Sequence, residues 1–148
     1  MLLIKQAGFS LLQRGIERRM QELKNRRRVN AEATVVVDKW IQENFARQGV
    51  PAMGGSGWRP LSARTLAGRR KGEARRSSRI LIDTGALKSR WKHQWDVNLA
   101  KVQSGVDYAD EHHYGKFGLP VRRIIPLERQ IWPLLQKLYK KYIVRVLK

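Results

Sequence analysis

The chain contains no cysteine. That removes disulfides, thiolate nucleophiles and every cysteine-based zinc site at once. Acidic residues are scarce too: 12 Asp and Glu stand against 31 Lys and Arg, a formal net charge of +19. A small domain so charged repels itself unless something nearby supplies negative charge. DNA, RNA, an acidic protein surface and an anionic membrane all meet that need, and composition does not choose among them. Long apolar runs are also missing. The run Met1 to Ile4 has no basic stretch before it, and Arg14, Arg18 and Arg19 soon follow, so neither a signal peptide nor a membrane span is expected. No internal repeat is present, and 148 residues of ordinary hydrophobic content suit one folded domain with one modest core.

Periodicity divides that domain into four stretches. Residues 1–47 read as helices. Leu12, Ile16, Met20 and Leu23 recur at spacings of three and four, leaving Arg14, Arg18 and Arg19 mostly off the stripe. Repulsion among Arg26, Arg27 and Arg28 predicts a break between Asn25 and Asn30. A second helix then carries Ala33, Val36, Val37, Trp40, Ile41 and Phe45 on one face and ends near Gly49, because Pro51 cannot continue it. Residues 48–79 read as a long basic loop with Glu73 its only acid, apart from a short helix at Ser62, whose hydroxyl can cap the Arg64 and Thr65 amides.

Residues 80–126 form the sheet region. Ile80 to Ile82 is a short apolar run. Trp91, His93, Trp95, Val97 and Leu99 alternate with polar residues, a turn near Asp96 to Asn98 predicts a hairpin returning through Val102 to Val106, and Leu119 to Ile125 suits a further strand with Pro120 and Pro126 at its limits. Asp107 to Tyr114 suits one or two helical turns stopped at Gly115. Residues 127–148 hold a C-terminal helix from about Gln130 to Leu147, with Ile131, Leu135, Leu138, Tyr142, Ile143 and Val146 as its stripe and Pro133 at an early position. N-terminal helices, a small antiparallel sheet with a long basic loop, and a C-terminal helix make an α+β fold.

Three constellations could carry chemistry. Ile80-Leu81-Ile82-Asp83-Thr84-Gly85-Ala86 reads like the catalytic strand of retroviral-type aspartic proteases, in which two aspartates share a proton. Here there is one such motif and no Gly-Arg-Asp or Gly-Arg-Asn after a later apolar strand. The preferred reading is therefore a cap, with Asp83 or Thr84 accepting an amide of a short helix from Gly85 to Ser89. Asp107, Asp110, Glu111, His112 and His113 invite a metal or nuclease hypothesis. Only Asp110 with His113, or Asp107 with Glu111, shares a helix face, and a third ligand would have to come from Asp83 or His93. A solvated helix face with a histidine packed at a sheet edge is preferred, with no metal. No nucleophile-elbow spacing supports a serine hydrolase. The basic loop is the third: Arg64, Arg69, Arg70, Lys71, Arg75, Arg76 and Arg79 are candidates to contact a partner protein or DNA, with Trp58 nearby for stacking.

Taken in order, these pieces resemble the phage virion morphogenesis family, the tail-completion proteins of Mu-like phages and their relatives. The likeness begins with Phe45-Ala46-Arg47-Gln48-Gly49 and continues through Gly57-Trp58-Arg59-Pro60-Leu61-Ser62-Ala63-Arg64-Thr65 and Arg69-Arg70-Lys71-Gly72. It then takes in Ile80 to Leu87 with Ser89, a hairpin, and Gly105-Val106-Asp107-Tyr108-Ala109 leading to His112-His113-Tyr114-Gly115, so that it spans about residues 45 to 125. His113 stands where the family usually has glutamine, and Pro120-Val121-Arg122-Arg123-Ile124 where it usually has Pro-Ala-Arg-Pro-Phe.

The resemblance implies a structural phage protein that completes the tail or joins it to the head, with no catalytic residue and no cofactor. It implies self-assembly into a ring, expected to be a hexamer, on the head–tail axis of the virion after synthesis in the host cytoplasm. Neck and tail-tube proteins would be its partners, with passing genomic DNA a further candidate and no membrane. Trp58, Pro60, Leu61, Thr65, Asp83, Thr84, Gly85, Tyr108, Ala109, His112 and Gly115 would be the structural motif. The alternative from a different class is a free basic nucleic-acid-binding protein.

Overall fold

A computed structural model describes residues 4–70 and 78–148. Its organising element is α2 (Arg27–Ala46), whose face carries Val29, Ala33, Trp40, Ile41 and Phe45 into the interior. The other elements are α1 (Ile4–Lys24), α3 (Val50–Met53), α4 (Ala63–Arg70), α5 (Ala86–Ser89), β1 (Trp91–Trp95), β2 (Ala100–Ser104), α6 (Ala109–Tyr114) and α7 (Glu128–Leu147). A 3₁₀ turn, Lys116–Gly118, follows α6. The fold is α+β: β1 and β2 form an antiparallel hairpin in which Trp91 faces Ser104 and Trp95 faces Ala100. One apolar cluster joins Trp40, Ile41 and Phe45 to Trp58, Leu81, Leu87, Ala109 and Ile124.

Polar side chains on α2 fix what lies around it. At one end, the amide of buried Asn30 donates to the carbonyls of Asp96 (2.6 Å) and Val97 (3.0 Å), holding the hairpin turn, while its oxygen accepts the Tyr139 hydroxyl at 2.6 Å. At the other end, fully buried Asn44 donates to the carbonyls of Arg123 (2.9 Å) and Ile124 (3.1 Å). Helix α7 runs antiparallel to α2. Its first turn is tied to α3 by Gln130, which accepts the Leu127 amide and donates to the Pro51 carbonyl at 2.7 Å. Near its far end the Tyr142 hydroxyl donates to the carbonyls of Glu22 and Asn25, which are orphan acceptors at the close of α1. The subunit thus has two poles, separated by the length of α2, about 30 Å for a 20-residue helix.

Several elements depart from the sequence-based expectation, each for a local reason. The break between α1 and α2 is only Asn25–Arg26, because Arg26 and Arg28 diverge to Asn98 (2.7 Å) and Glu32 (3.5 Å) instead of opposing each other. Gly49 takes a left-handed conformation (φ 88°) and lets Pro51 open α3, so the chain turns there without losing helix altogether. Within 48–79, α3 replaces part of the expected loop, while α4 is the short helix expected at Ser62. Ile80 to Ile82 is a turn, not a strand, with Leu81 at φ 59°. Leu119 to Ile125 is extended but joins no sheet, since the side chains of Asn44, Trp58 and His113 take up its backbone groups. Pro133 sits inside α7, at its sixth residue, so the Arg129 carbonyl forgoes the amide a non-proline would offer. The stripe of α1 does not face a core: Leu12, Ile16 and Met20 are half or more exposed.

Candidate functional site

Three stretches distant in sequence converge at the pole formed by the C-terminal end of α2. The chain leaves α2 through Gln48 and Gly49 and returns at Trp58, whose amide donates to the Gln48 carbonyl at 2.8 Å. The Trp58 indole is 2% exposed, meets the Phe45 ring edge-on at 5.3 Å and donates to the Arg123 carbonyl at 3.0 Å. From this anchor the backbone emerges as Arg59–Ser62, and the Ser62 hydroxyl accepts the Thr65 amide at 3.2 Å to start α4.

The second stretch is the turn before α5. Left-handed Gly85 (φ 84°) is the residue that caps α5. Neither Asp83 nor Thr84 occupies that cap position, though the Thr84 hydroxyl accepts the Ala86 amide at 3.4 Å from one place earlier. The third stretch is α6 with its exit. Left-handed Gly115 (φ 71°) closes α6, and a side chain there would meet Val121 at 2.8 Å and the Leu119 carbonyl at 2.9 Å. The chain then runs back beside α6, with the Arg122 amide donating to the His112 carbonyl at 2.8 Å.

Between these stretches lies a groove of about 930 Å³. Pro60, Leu61, Thr65, Asp83, Thr84, Gly85, Tyr108 and His112 all line it. Trp58 lies buried beneath, Ala109 is buried in the core, and Gly115 shapes the rim. The groove also recruits Arg59, Leu119, Pro120 and Arg122, which were not among the expected site residues. Arg122 is only 6% exposed and donates to the Arg59 carbonyl at 3.3 Å, bridging the first and third walls.

The basic residues do not act as one group. Arg64 is exposed on α4, and the backbones of Arg69 and Arg70 end that helix. Lys71, Arg75 and Arg76 lie outside the described residues. Arg79 is used within the chain: it donates to the carbonyls of Phe45 (3.3 Å) and Ala46 (2.8 Å), complementing the C-terminal end of α2.

The two histidines differ in position, and both have their pKa lowered. His113 is buried and its Nδ1 accepts the Ile124 amide at 3.0 Å, which requires the neutral ring. Burial lowers its pKa below the usual 6.5, with Arg123 adding to the effect and Asp110 opposing it. His112 is lowered the same way, by burial and then Arg122, against Glu111. Among the described residues, no three of His, Asp and Glu come together as a metal site.

A pH dependence follows. Above the ordinary value of 6.5 both rings are neutral whether folded or unfolded, so stability is level there. As pH falls through that value the unfolded chain binds more protons, and stability drops until the depressed folded values are passed. Urea midpoints should therefore be flat from pH 8 to 7 and fall from 6.5 toward 5, less steeply in His113→Ala. A midpoint level down to pH 5 would contradict the assigned neutral role.

Against known families, the chain matches the phage virion morphogenesis family over residues 8–134. The chain belongs to that family. The match reaches beyond residues 45–125, taking in most of α1 and the first turns of α7. Neither a curated protein nor a solved structure matches it. Family membership makes the chain a phage virion morphogenesis protein and points to a structural rather than an enzymatic role. No described helix is long and apolar enough to cross a membrane.

Proposed function

We propose that the chain completes the phage tail or joins it to the head as one subunit of a ring on the head–tail axis. The observation that carries this reading is α1. Its contact with α7 is terminal and antiparallel: Arg19 donates to the Lys148 carbonyl at 3.1 Å, and Glu22 meets Tyr142. Residues 4–18 thus run past the end of α7 as an arm of about 20 Å, at 1.5 Å per residue. Residues 11–22 are all exposed, and Leu11, Leu12 and Ile16 are 65%, 61% and 50% accessible. An amphipathic helix gains most of its stability by covering its apolar face, which this chain alone leaves uncovered. Assembly covers it.

A ring, with six copies the expected number, also suits the charge. Partners with acidic surfaces, or DNA in the lumen, offset a self-repulsion of +19 per subunit. Neck and tail-tube proteins are the partners this reading names. Electron microscopy of particles made without this chain tests it. Filled heads beside separate tails indicate joining, and tails of abnormal length indicate termination; normal infectious particles would refute both.

The same charge favours a second reading, a free nucleic-acid-binding protein. It requires that the isolated subunit bind DNA, with affinity falling steeply as salt rises. Weak binding that barely responds between 50 and 200 mM salt (about the range over which phosphate contacts are lost) would discard it.

A further inference from the structure

We propose that duplex DNA is held along the outward face of α7, through a row of cations that the fold itself leaves unused. This deepens the readings above by naming the surface for the DNA they allow, and it rests on them for that ligand. Lys137, Lys141 and Arg145 recur every four residues along α7, with Lys140 beside them, and all four are exposed. The row spans about 12 Å, at 1.5 Å per residue. No acid follows Glu128 in the chain.

Cations elsewhere are engaged within the chain. Arg79 serves the Phe45 and Ala46 carbonyls, Arg122 the Arg59 carbonyl, and Arg18 and Arg28 pair with Glu22 and Glu32. Among the described residues Lys137, Lys140 and Lys141 form neither an ion pair nor a hydrogen bond, and Arg145 meets only the Tyr142 ring, at 5.7 Å. Nor does the helix gain from them. Like charges four residues apart weaken a helix. The favourable effect of a helix C-terminus on cations reaches only the last turn, which holds Arg145 but neither Lys137 nor Lys141. An external anion reverses the sign of that arrangement.

Neighbouring elements add to the row. Helix α7 packs on α1 and α2, and the hairpin turn is fastened to the same end of α2 by Asn30. Over residues 14–34, 96–98 and 137–147, 11 bases stand against 4 acids, a net of +7. Those acids, Glu17, Glu22, Glu32 and Asp96, are already occupied by Gln13, Arg18, Arg28 and the Val97 amide. The positive face survives the full count.

The chemistry of the row favours nucleic acid over an acidic protein or an anionic membrane. Lysine is depleted in protein interfaces, which depend on shape and close packing. DNA carries one charge per about 1.7 Å of its axis, so a row of single sign meets phosphates in any register. A helix that lies in a membrane surface puts its main apolar stripe into the lipid. In α7 that stripe, with Leu135, Leu138 and Tyr142, is buried or partly buried against the body of the subunit.

The test measures binding of the full-length chain to a short duplex of arbitrary sequence between about 50 and 200 mM salt. The combined variant Lys137→Gln, Lys141→Gln, Arg145→Gln should flatten the dependence of log affinity on log salt by about 0.9 per cation removed, about 2.7 in all. Circular dichroism verifies its fold, and Lys137→Arg with Lys141→Arg should keep the wild-type slope. Arg64→Gln, Arg69→Gln, Arg70→Gln on α4 should keep most of it. An unchanged slope in the α7 variant overturns the proposal while leaving DNA binding in place. Stronger binding to polyglutamate or to anionic lipid vesicles than to the duplex, at equal charge and salt, would assign the face to an acidic protein or a membrane and also overturn it. If the wild-type chain binds no DNA, this contact fails together with the free nucleic-acid-binding reading, and the ring, tested by microscopy of particles, is untouched.

Discussion

Trp58→Ala is expected to destabilise the subunit by about 3–5 kcal/mol, the usual cost of deleting a large buried aromatic. The indole fills the junction where the first wall of the groove meets the core. It touches Phe45, bonds the Arg123 carbonyl and is almost wholly shielded. Its removal leaves a cavity, and the Arg123 carbonyl keeps only Asn44. Because the same side chain holds residues 59–65 in place, the groove should loosen with the core. Urea unfolding measures the first effect, and faster proteolysis around residues 59–70 reports the second. A loss below about 1 kcal/mol would mean that the neighbours collapse into the site, and Trp58 would then not be the anchor.

Gly49→Ala should be comparably severe, about 3–4 kcal/mol, for a reason that can be isolated. At φ 88° an L-residue pays roughly 1–2 kcal/mol in backbone strain. In addition, the new Cβ would lie 2.2 Å from the Trp58 ring, which is closer than any real contact. Overpacking of that kind costs about 1–3 kcal/mol when the neighbour cannot move, and Trp58 is bonded and buried. The two substitutions must therefore couple. In a Trp58→Ala background Gly49→Ala should cost only the strain, about 1–2 kcal/mol. Retention of the full cost there would place the clash elsewhere.

Much of the fold was legible because its signals are local. The stripe Trp40, Ile41, Phe45 needs only the helical period, the alternation from Trp91 to Trp95 only the pleat, and Gly115 only the absence of a Cβ. Expectations failed where a distant group took over a local task. Leu119 to Ile125 has the composition of a strand, yet Asn44, Trp58 and His113 satisfy its backbone in place of a neighbouring strand. Asn44 itself was readable only as a polar residue on an apolar helix face, a signal with many meanings. Leu12, Ile16 and Met20 revealed a helix, but periodicity is the same for a stripe that meets its own core and one that waits for another molecule.

The sequence alone determined the family, the α+β class, the basic charge and most element positions, since each depends on residues near one another in the chain or on their sum. The tertiary structure decided that Pro60, Leu61, Thr65, Asp83, Thr84, Tyr108 and His112 share one groove, and that α1 leaves from the opposite end of α2. Those are facts about how segments tens of residues apart are brought together. They depend on a few long-range contacts, of Trp58, Asn44, Asn30 and Tyr142, whose partners no spacing in the sequence discloses.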